Sequence, residues 1–338
     1  MARRRTIGEF DVIARLFAPL ARGEPGAYGL TDDAAVLAMP AGRALVVTTD
    51  TVVAGVHFLA DDPPEDVAWK ALAVNLSDLA AMGAAARAYT LAAAFAGDLG
   101  WNWMRRFARG LARAQAAHRV ALIGGDTVAT PGPSTFTITA LGAVAGGRAL
   151  RRSGARPGDA VYVSGTIGDG ALGLLARQGK LERLPARHRR ALIRRYRRPL
   201  PRLALGARLI DAASAAIDVS DGLVADLGHV CETSGVGAVV EVARVPLSPA
   251  AAAAVRADNA LAATALAGGD DYELAFTAPP SRAAGIARIA RALRLPLTMI
   301  GRIEAVTGAA DGPVRLLGPD GRTIRAPGIG GYRHAWRA

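Results

Sequence analysis

The sequence predicts an α/β protein of the α+β type, with mixed sheets and helices arranged in two domains. Three observations carry this reading. At 338 residues the chain is long enough for two cores rather than one. Short apolar runs that read as strands alternate with stretches of 3.6-residue periodicity in both halves. Residues 146–158 (GGRALRRSGARPG) mix glycine, proline and arginine without hydrophobic periodicity, which places the boundary between domains 1–147 and 148–338.

In chain order, residues 11–20 carry a short amphipathic pattern and the glycine-bearing residues 22–30 read as a loop. Residues 44–49 are strand-like. Residues 64–82 predict a helix, because Trp69, Leu72, Ala73, Leu76, Leu79 and Ala80 fall on one stripe. Asn75 and Asp78, three apart, share one side of it. Residues 101–118 predict a second helix, with Met104, Phe107 and Leu111 inside and Arg105, Arg106, Arg109 and Arg113 outside. Residues 120–123 and 135–144 read as strands. Beyond the boundary, residues 160–164 predict a strand and 168–178 a helix. Residues 215–219 predict another strand, leading into a helix from Gly222. Residues 272–277 and 298–303 read as later strands, with 281–293 helical between them. Each half carries an Asp-ended strand, but no period is strong enough to establish a repeat.

Composition narrows the function. Hydrophobic content of 51% is inflated by alanine, yet Ile, Val, Leu and Phe suffice for real cores. Lysine occurs only at Lys70 and Lys180, so arginine carries most of the positive charge behind a net +12. Such a charge attracts nucleic acid, membrane surface or anionic metabolites. The densest cluster is Arg187-His188-Arg189-Arg190 followed by Arg194-Arg195-Tyr196-Arg197-Arg198. It reads first as the solvated face of a helix and second as a nucleic-acid patch, with no RNA motif, zinc finger or helix-turn-helix beside it. Cys231 is the sole cysteine, which excludes an intrachain disulfide and a cysteine zinc site; in LGHVCETSG it reads as a packed thiol. MARRRTIGEF lacks the apolar core of a secretory signal, and no apolar stretch reaches membrane-spanning length. The expectation is a cytoplasmic protein with no membrane partner.

The chemistry lies in aspartates at the ends of apolar segments: Asp32 and Asp33 in LTDDAAVL, Asp50 closing ALVVTTD, Asp126 closing VALIGGD, and Asp218 with Asp221 in AAIDVSDG. One aspartate after a strand is ordinarily a turn former or helix cap. Repeated at separate places, and joined by Asp78 on a helix flank, the set reads as carboxylates gathered around cations, since buried carboxylates are costly uncompensated. Oxygen donors without paired histidine or cysteine favour Mg²⁺, and Mg²⁺ on carboxylates points to phosphoryl chemistry. A Walker loop is absent: Gly179-Lys180 is followed by leucine. GTIGDGALG (residues 165–173) is glycine-rich between strand and helix, and reads either as a phosphate contact or as a tight turn.

TTDTVVAGVHF (48–58), KALAVNLSDLAAMGA (70–84), LIGGDT (122–127), SGTIGDGALGL (164–174), IDVSDGLVADLGH (217–229) and GGDDYELAFT (268–277) together resemble the thiamine-monophosphate kinase family. That family belongs with aminoimidazole ribonucleotide synthetase and selenophosphate synthetase, and the likeness runs from LTDDAAVL to the closing GYRHA. The resemblance implies transfer of the γ-phosphoryl group of ATP to thiamine monophosphate, dependent on several Mg²⁺ ions. It also implies two α/β domains and a homodimer in which the N-terminal domains pair. Carried over motif by motif, it implies metal ligands at Asp33, Thr48, Thr49, Asp50, Asp78, Asp126, Asp218 and Asp221. It assigns ATP contacts to Gly125, Asp126, Arg152 and Ser220, and thiamine phosphate contacts to His57, Asp270 and Tyr332. His57 has an alternative role as a polar cap on the loop after GVHF.

Departures from the family pattern are Thr31 where glycine is usual, Ala54 where glutamate is frequent, Val128 where threonine is common, and Asp270 in place of a usual glutamate. The last shortens a substrate-binding arm by one methylene. Selenophosphate synthetase is disfavoured because its reactive N-terminal cysteine has no counterpart here. An aminoimidazole ribonucleotide synthetase-like enzyme remains the nearest alternative, and a basic nucleic-acid-binding protein the alternative of another class.

Overall fold

The computed structural model describes residues 8–32, 34–306 and 313–324. The chain divides into two compact units, Met1–Leu79 with Ala85–Gly147, and Ala80–Ala84 with Arg148–Ala338.

The first unit opens with α1 (Glu9–Val12), a π turn over Ile13–Phe17 and 3₁₀ turns over Ala18–Gly23 and Pro25–Leu30. Then come β1 (Arg43–Val53), α2 (Pro64–Ala81), β2 (Ala85–Ala96), α3 (Trp101–His118), β3 (Ala121–Thr130) and β4 (Thr135–Ala145). The sheet runs β1-β4-β2-β3, with β4 antiparallel to β1 and β2, and β3 parallel to β2 after the α3 crossover. One face is packed by the helices: Phe107 of α3 stacks on Phe136 of β4 at 4.4 Å between ring centroids, and Leu72, Leu76 and Leu79 of α2 are fully buried. The N-terminal turns pack part of the other face, where Ala21 and Ala27 meet Ala88, Ile123 and Leu141. Leu45 and Val47, on the same side of β1, remain about half exposed.

Two strands are longer than expected. β1 and β3 run through Asp50 and Asp126 instead of ending there, because the ladder continues: Asp50 pairs with Ile138, and Asp126 with Ala92. The β-branched residues around Asp50 in TTDTVV suit an extended backbone. β2 has no counterpart among the expected strands, since AARAYTLAAAFA is too alanine-rich to carry a β signal. Part of the expected loop at 22–30 is the 3₁₀ turn Pro25–Leu30.

The second unit contains, in order, β5 (Ala160–Ser164), α4 (Asp169–Arg177), α5 (Ala186–Arg197), α6 (Leu203–Leu209), β6 (Ala215–Asp218), α7 (Leu223–Ser234) and β7 (Gly237–Glu241). α8 (Pro249–Ala257), α9 (Leu261–Ala267), β8 (Leu274–Ala278), α10 (Ala283–Leu293), β9 (Leu297–Glu304), β10 (Val314–Leu317) and β11 (Thr323–Ile324) complete it. Its mixed sheet has the order β11-β10-β7-β9-β5-β8-β6, and only the β7–β10 pair is parallel. Alternation along β5 sends Val161 and Val163 to the face covered by Leu227 and Cys231 of α7, and Tyr162 to the face covered by α6 and α10. Cys231 is fully buried, and burial pushes its thiol up to about 12. No helix among the described residues is long and apolar enough to cross a membrane.

Candidate active site

In the first unit, α2 lays its polar flank against β1. Asn75 Oδ1 accepts the main-chain N–H of Asp50 at 2.9 Å, and Thr48 Oγ1 donates to Asp78 Oδ2 at 2.5 Å. Thr48 and Asp50 alternate onto this helix-covered face. Thr49 alternates onto the other, where its hydroxyl donates to the Ile138 carbonyl at 3.1 Å and accepts from Thr139 at 3.2 Å. The structure therefore brings Thr48, Asp50 and Asp78 to one face and turns the Thr49 side chain away.

After β1 the chain makes a tight turn, with Gly55 N–H donating to the Phe58 carbonyl at 2.7 Å and His57 N–H to the Val53 carbonyl at 2.9 Å. His57 Nδ1 accepts from Val53 N–H at 3.1 Å, so the neutral ring carries its proton on Nε2. Lys70, buried on α2, donates to the His57 carbonyl at 2.9 Å. His57 thus caps its own loop, and the same bond orients its ring.

Gly125 sits where β3 crowds β2: a Cβ there would lie 1.9 Å from the Leu91 carbonyl oxygen. Asp126 beside it is exposed, its Oδ1 accepting the Thr127 N–H at 2.8 Å. These residues edge a recess of about 120 Å³, lined by Ile13, Phe17, Leu30 and Leu122 and by the acid Asp32. Asp33 and Tyr332 lie outside the described residues.

In the second unit, three loops are bonded together: residues 165–168 after β5, 219–222 after β6 and 268–273 before β8. Ser220 accepts from Asp270 N–H at 2.9 Å, and Val219 from Tyr272 N–H at 2.8 Å. Asp218 is buried at the end of β6. Asp221 lies in the turn that follows, and Asp226 Oδ2 gathers the N–H groups of Ser220, Asp221 and Gly222 at 3.0–3.1 Å. Burial, reinforced by the charge of Asp221, pushes Asp226 up to about 7. Asp270 and Tyr272 both adopt left-handed backbone, φ 71° and 51°, and the Tyr272 hydroxyl donates to Asp270 Oδ1 at 3.2 Å. Arg152 is exposed on the segment before β5, and its carbonyl accepts from Ser234 Oγ of α7.

Behind these loops lies a set of buried acids that sequence reasoning did not single out. Asp271 accepts the N–H groups of Gly168 and Gly170 at 2.6 and 2.9 Å, and burial pushes it up to about 8. Those are the amides a phosphate would need at the start of α4, so the glycine-rich stretch is a turn closed by an internal acid rather than a phosphate cradle. Glu273, fully buried, accepts from Ser164 Oγ at 2.6 Å, Arg195 Nη2 at 2.9 Å and both the Nε and Nη2 of Arg202. The arginine cluster is accordingly only partly a solvated face. Arg195 turns inward, and Arg189 caps the carbonyls of Glu182 and Leu184. Asp226 could have been found as an acid in a helix's first turn; Asp271, Glu273 and Arg195 carry no such mark.

Among the described residues, no three or more His, Cys, Asp or Glu side chains stand together as a metal site. The donor chemistry nevertheless fits a hard cation: Thr48, Asp50, Asp78 and Asp126 in the first unit and Asp218 and Asp221 in the second offer only oxygen.

The two sheets and their loops have known counterparts. The family model of the AIR synthase related protein N-terminal domain matches residues 31–144, and that of the C-terminal domain matches residues 156–310. The chain is therefore an AIR synthase related protein. Thiamine-monophosphate kinase of Escherichia coli K12 is 44% identical over 299 residues, covering 88% of this chain and 91% of the relative. The crystal structure of thiamine-monophosphate kinase from Stenotrophomonas maltophilia K279a superposes with a TM-score of 0.80 at 41% identity, covering 91% of this chain and 97% of that one. A structure described as AaThiL complexed with AMPPCP and TMP gives 0.76 at 31% identity over 99% of each chain. Within its class, the chain belongs to the thiamine-monophosphate kinase family.

Proposed function

We infer that this protein transfers the γ-phosphoryl group of ATP to thiamine monophosphate, yielding thiamine diphosphate and ADP. The observation that carries the reading is the 44% identity to a thiamine-monophosphate kinase across nearly the whole of both chains. It is supported by likeness to a structure described as holding AMPPCP and TMP. Against the aminoimidazole ribonucleotide synthetase-like alternative stands the 41–44% identity to thiamine-monophosphate kinases. Against the nucleic-acid alternative stands the inward engagement of Arg189 and Arg195.

The acceptor is a phosphate monoester whose second pKa is about 6, so its oxygen is largely anionic at neutral pH and needs no general base. The barrier is repulsion between two anions, met by positive charge and in-line positioning. Mg²⁺, when bound, supplies that charge and a template for the oxygens. Several such ions are expected: Thr48, Asp50, Asp78 and Asp126, with Asp33, would hold them in the first unit and Asp218 and Asp221 in the second; Thr49 would have to contribute from the opposite side of β1. His57 presents an Nε2–H donor suited to a phosphate oxygen. Asp270 and Tyr332 are assigned to thiamine monophosphate, and Gly125, Asp126, Arg152 and Ser220 to ATP.

The reading includes a cytoplasmic homodimer. Support for pairing comes from Leu45 and Val47, apolar and half exposed on the edge strand β1. The deciding experiment incubates the purified protein with ATP, Mg²⁺ and thiamine monophosphate and identifies the product. Thiamine diphosphate with stoichiometric ADP is expected, and free thiamine should not serve as acceptor. Equal turnover of thiamine and its monophosphate would overturn the mechanism.

A further inference from the structure

The loop that carries Asp270 is held in a costly shape. Two of its three successive residues 270–272, Asp270 and Tyr272, take left-handed backbone without being glycine. Such conformations persist only where the surroundings over-determine them. Main-chain bonds to Val219 and Ser220 hold one side, and Asp271 anchors the middle on Gly168 and Gly170. Arg195 reaches the loop from α5. Arg195 Nη2 donates to the Asp271 carbonyl at 3.3 Å and to the Glu273 carboxylate at 2.9 Å, while its Nε lies 4.0 Å from buried Asp169.

We propose that Arg195 is a positioning residue for thiamine monophosphate, acting by clamping the Asp271 peptide so that Asp270 is presented in its left-handed conformation. Neutralising Glu273 does not by itself account for Arg195. Glu273 already receives both the Nε and Nη2 of Arg202 and the hydroxyl of Ser164. What Arg195 adds is the bond to the main chain between the two strained residues. Both bonds leave Nη2, whose two protons are fixed in the guanidinium plane, so the carbonyl and the carboxylate are held in one register; an ammonium rotating on a flexible stem holds neither in that way. The proposal rests on the functional reading above, in which Asp270 contacts the acceptor.

The test is Arg195→Lys, which keeps the charge and loses the fork, with Arg195→Gln as a second variant. Hydrogen exchange of the amides of residues 268–273 should quicken in the lysine variant, with its melting temperature close to that of the parent. In steady-state kinetics, KM for thiamine monophosphate should rise roughly tenfold while kcat and KM for ATP stay within about twofold, the pattern of lost acceptor binding. Unchanged exchange, an unchanged acceptor KM, or equal rises in both KM values in an active folded variant would overturn the proposal. A parent enzyme inert toward thiamine monophosphate would instead sink the functional reading, and this proposal with it.

Discussion

Asp50 is bonded to α2 through its main chain, where the Asn75 amide oxygen accepts the Asp50 N–H. Asp50→Asn keeps that bond and the shape of the side chain and removes its charge. Turnover should fall by about two orders of magnitude or more, while the melting temperature shifts by no more than a surface substitution would cause. Near-parental turnover at limiting Mg²⁺ would remove Asp50 from the metal site. Asp271 predicts a pH effect of definite sign. Its folded-state value, about 8, stands above the ordinary aspartate value of 3.8 because of burial. Stability from this group is thus full below about 4 and is lost as pH rises towards 8. Urea denaturation of the parent and of Asp271→Asn should show the parent's relative advantage shrinking across that window. A constant difference would mean Asp271 does not titrate there. At this scale the sequence was legible where a charge interrupts an apolar run, as at Asp50, Asp78 and Asp218. It was silent on Asp271 and Glu273, because an acid satisfied by amides or arginines distant in the chain has no local signature.

Elements with strong periodicity were read closely: the expected helix at 101–118 is α3, Trp101–His118, and the expected strand at 160–164 is β5. β2 and the short helices α8 and α9 escaped because alanine fits helix and strand alike when packing decides. Ladder pairing, which extends β1 and β3 through their aspartates, is a non-local effect that a window of sequence does not contain. Packing between elements yields its own prediction. Gly110 lets α3 approach α2 so closely that a Cβ would fall 2.5 Å from the Glu65 carbonyl oxygen and 2.8 Å from the Ala68 Cβ. Gly110→Ala should cost about 1–3 kcal/mol by overpacking, outweighing the gain in helix propensity. Chemical denaturation measures it directly, and a stabilised variant would show that the two helices part without cost.

For the molecule as a whole, the first unit ends at Gly147, within the glycine-, proline- and arginine-rich stretch at 146–158, while the assignment of Ala80–Ala84 to the second unit has no mark in the sequence. The proposed pairing of two chains entered through family resemblance. It can be tested on β1, where Val47→Asp places a charge on the uncovered side of the edge strand. Sedimentation should then show monomers where the parent sediments as a dimer; an unchanged dimer would move the interface elsewhere. With two chains closed over that apolar side, as proposed, folding and assembly become a matter of mass action. Where the paired form is the active one, activity measured well below the dissociation constant should grow with the square of enzyme concentration. A cell halving its supply of this chain would then lose three quarters of the activity, so that dilution itself acts as a brake on the supply of its product.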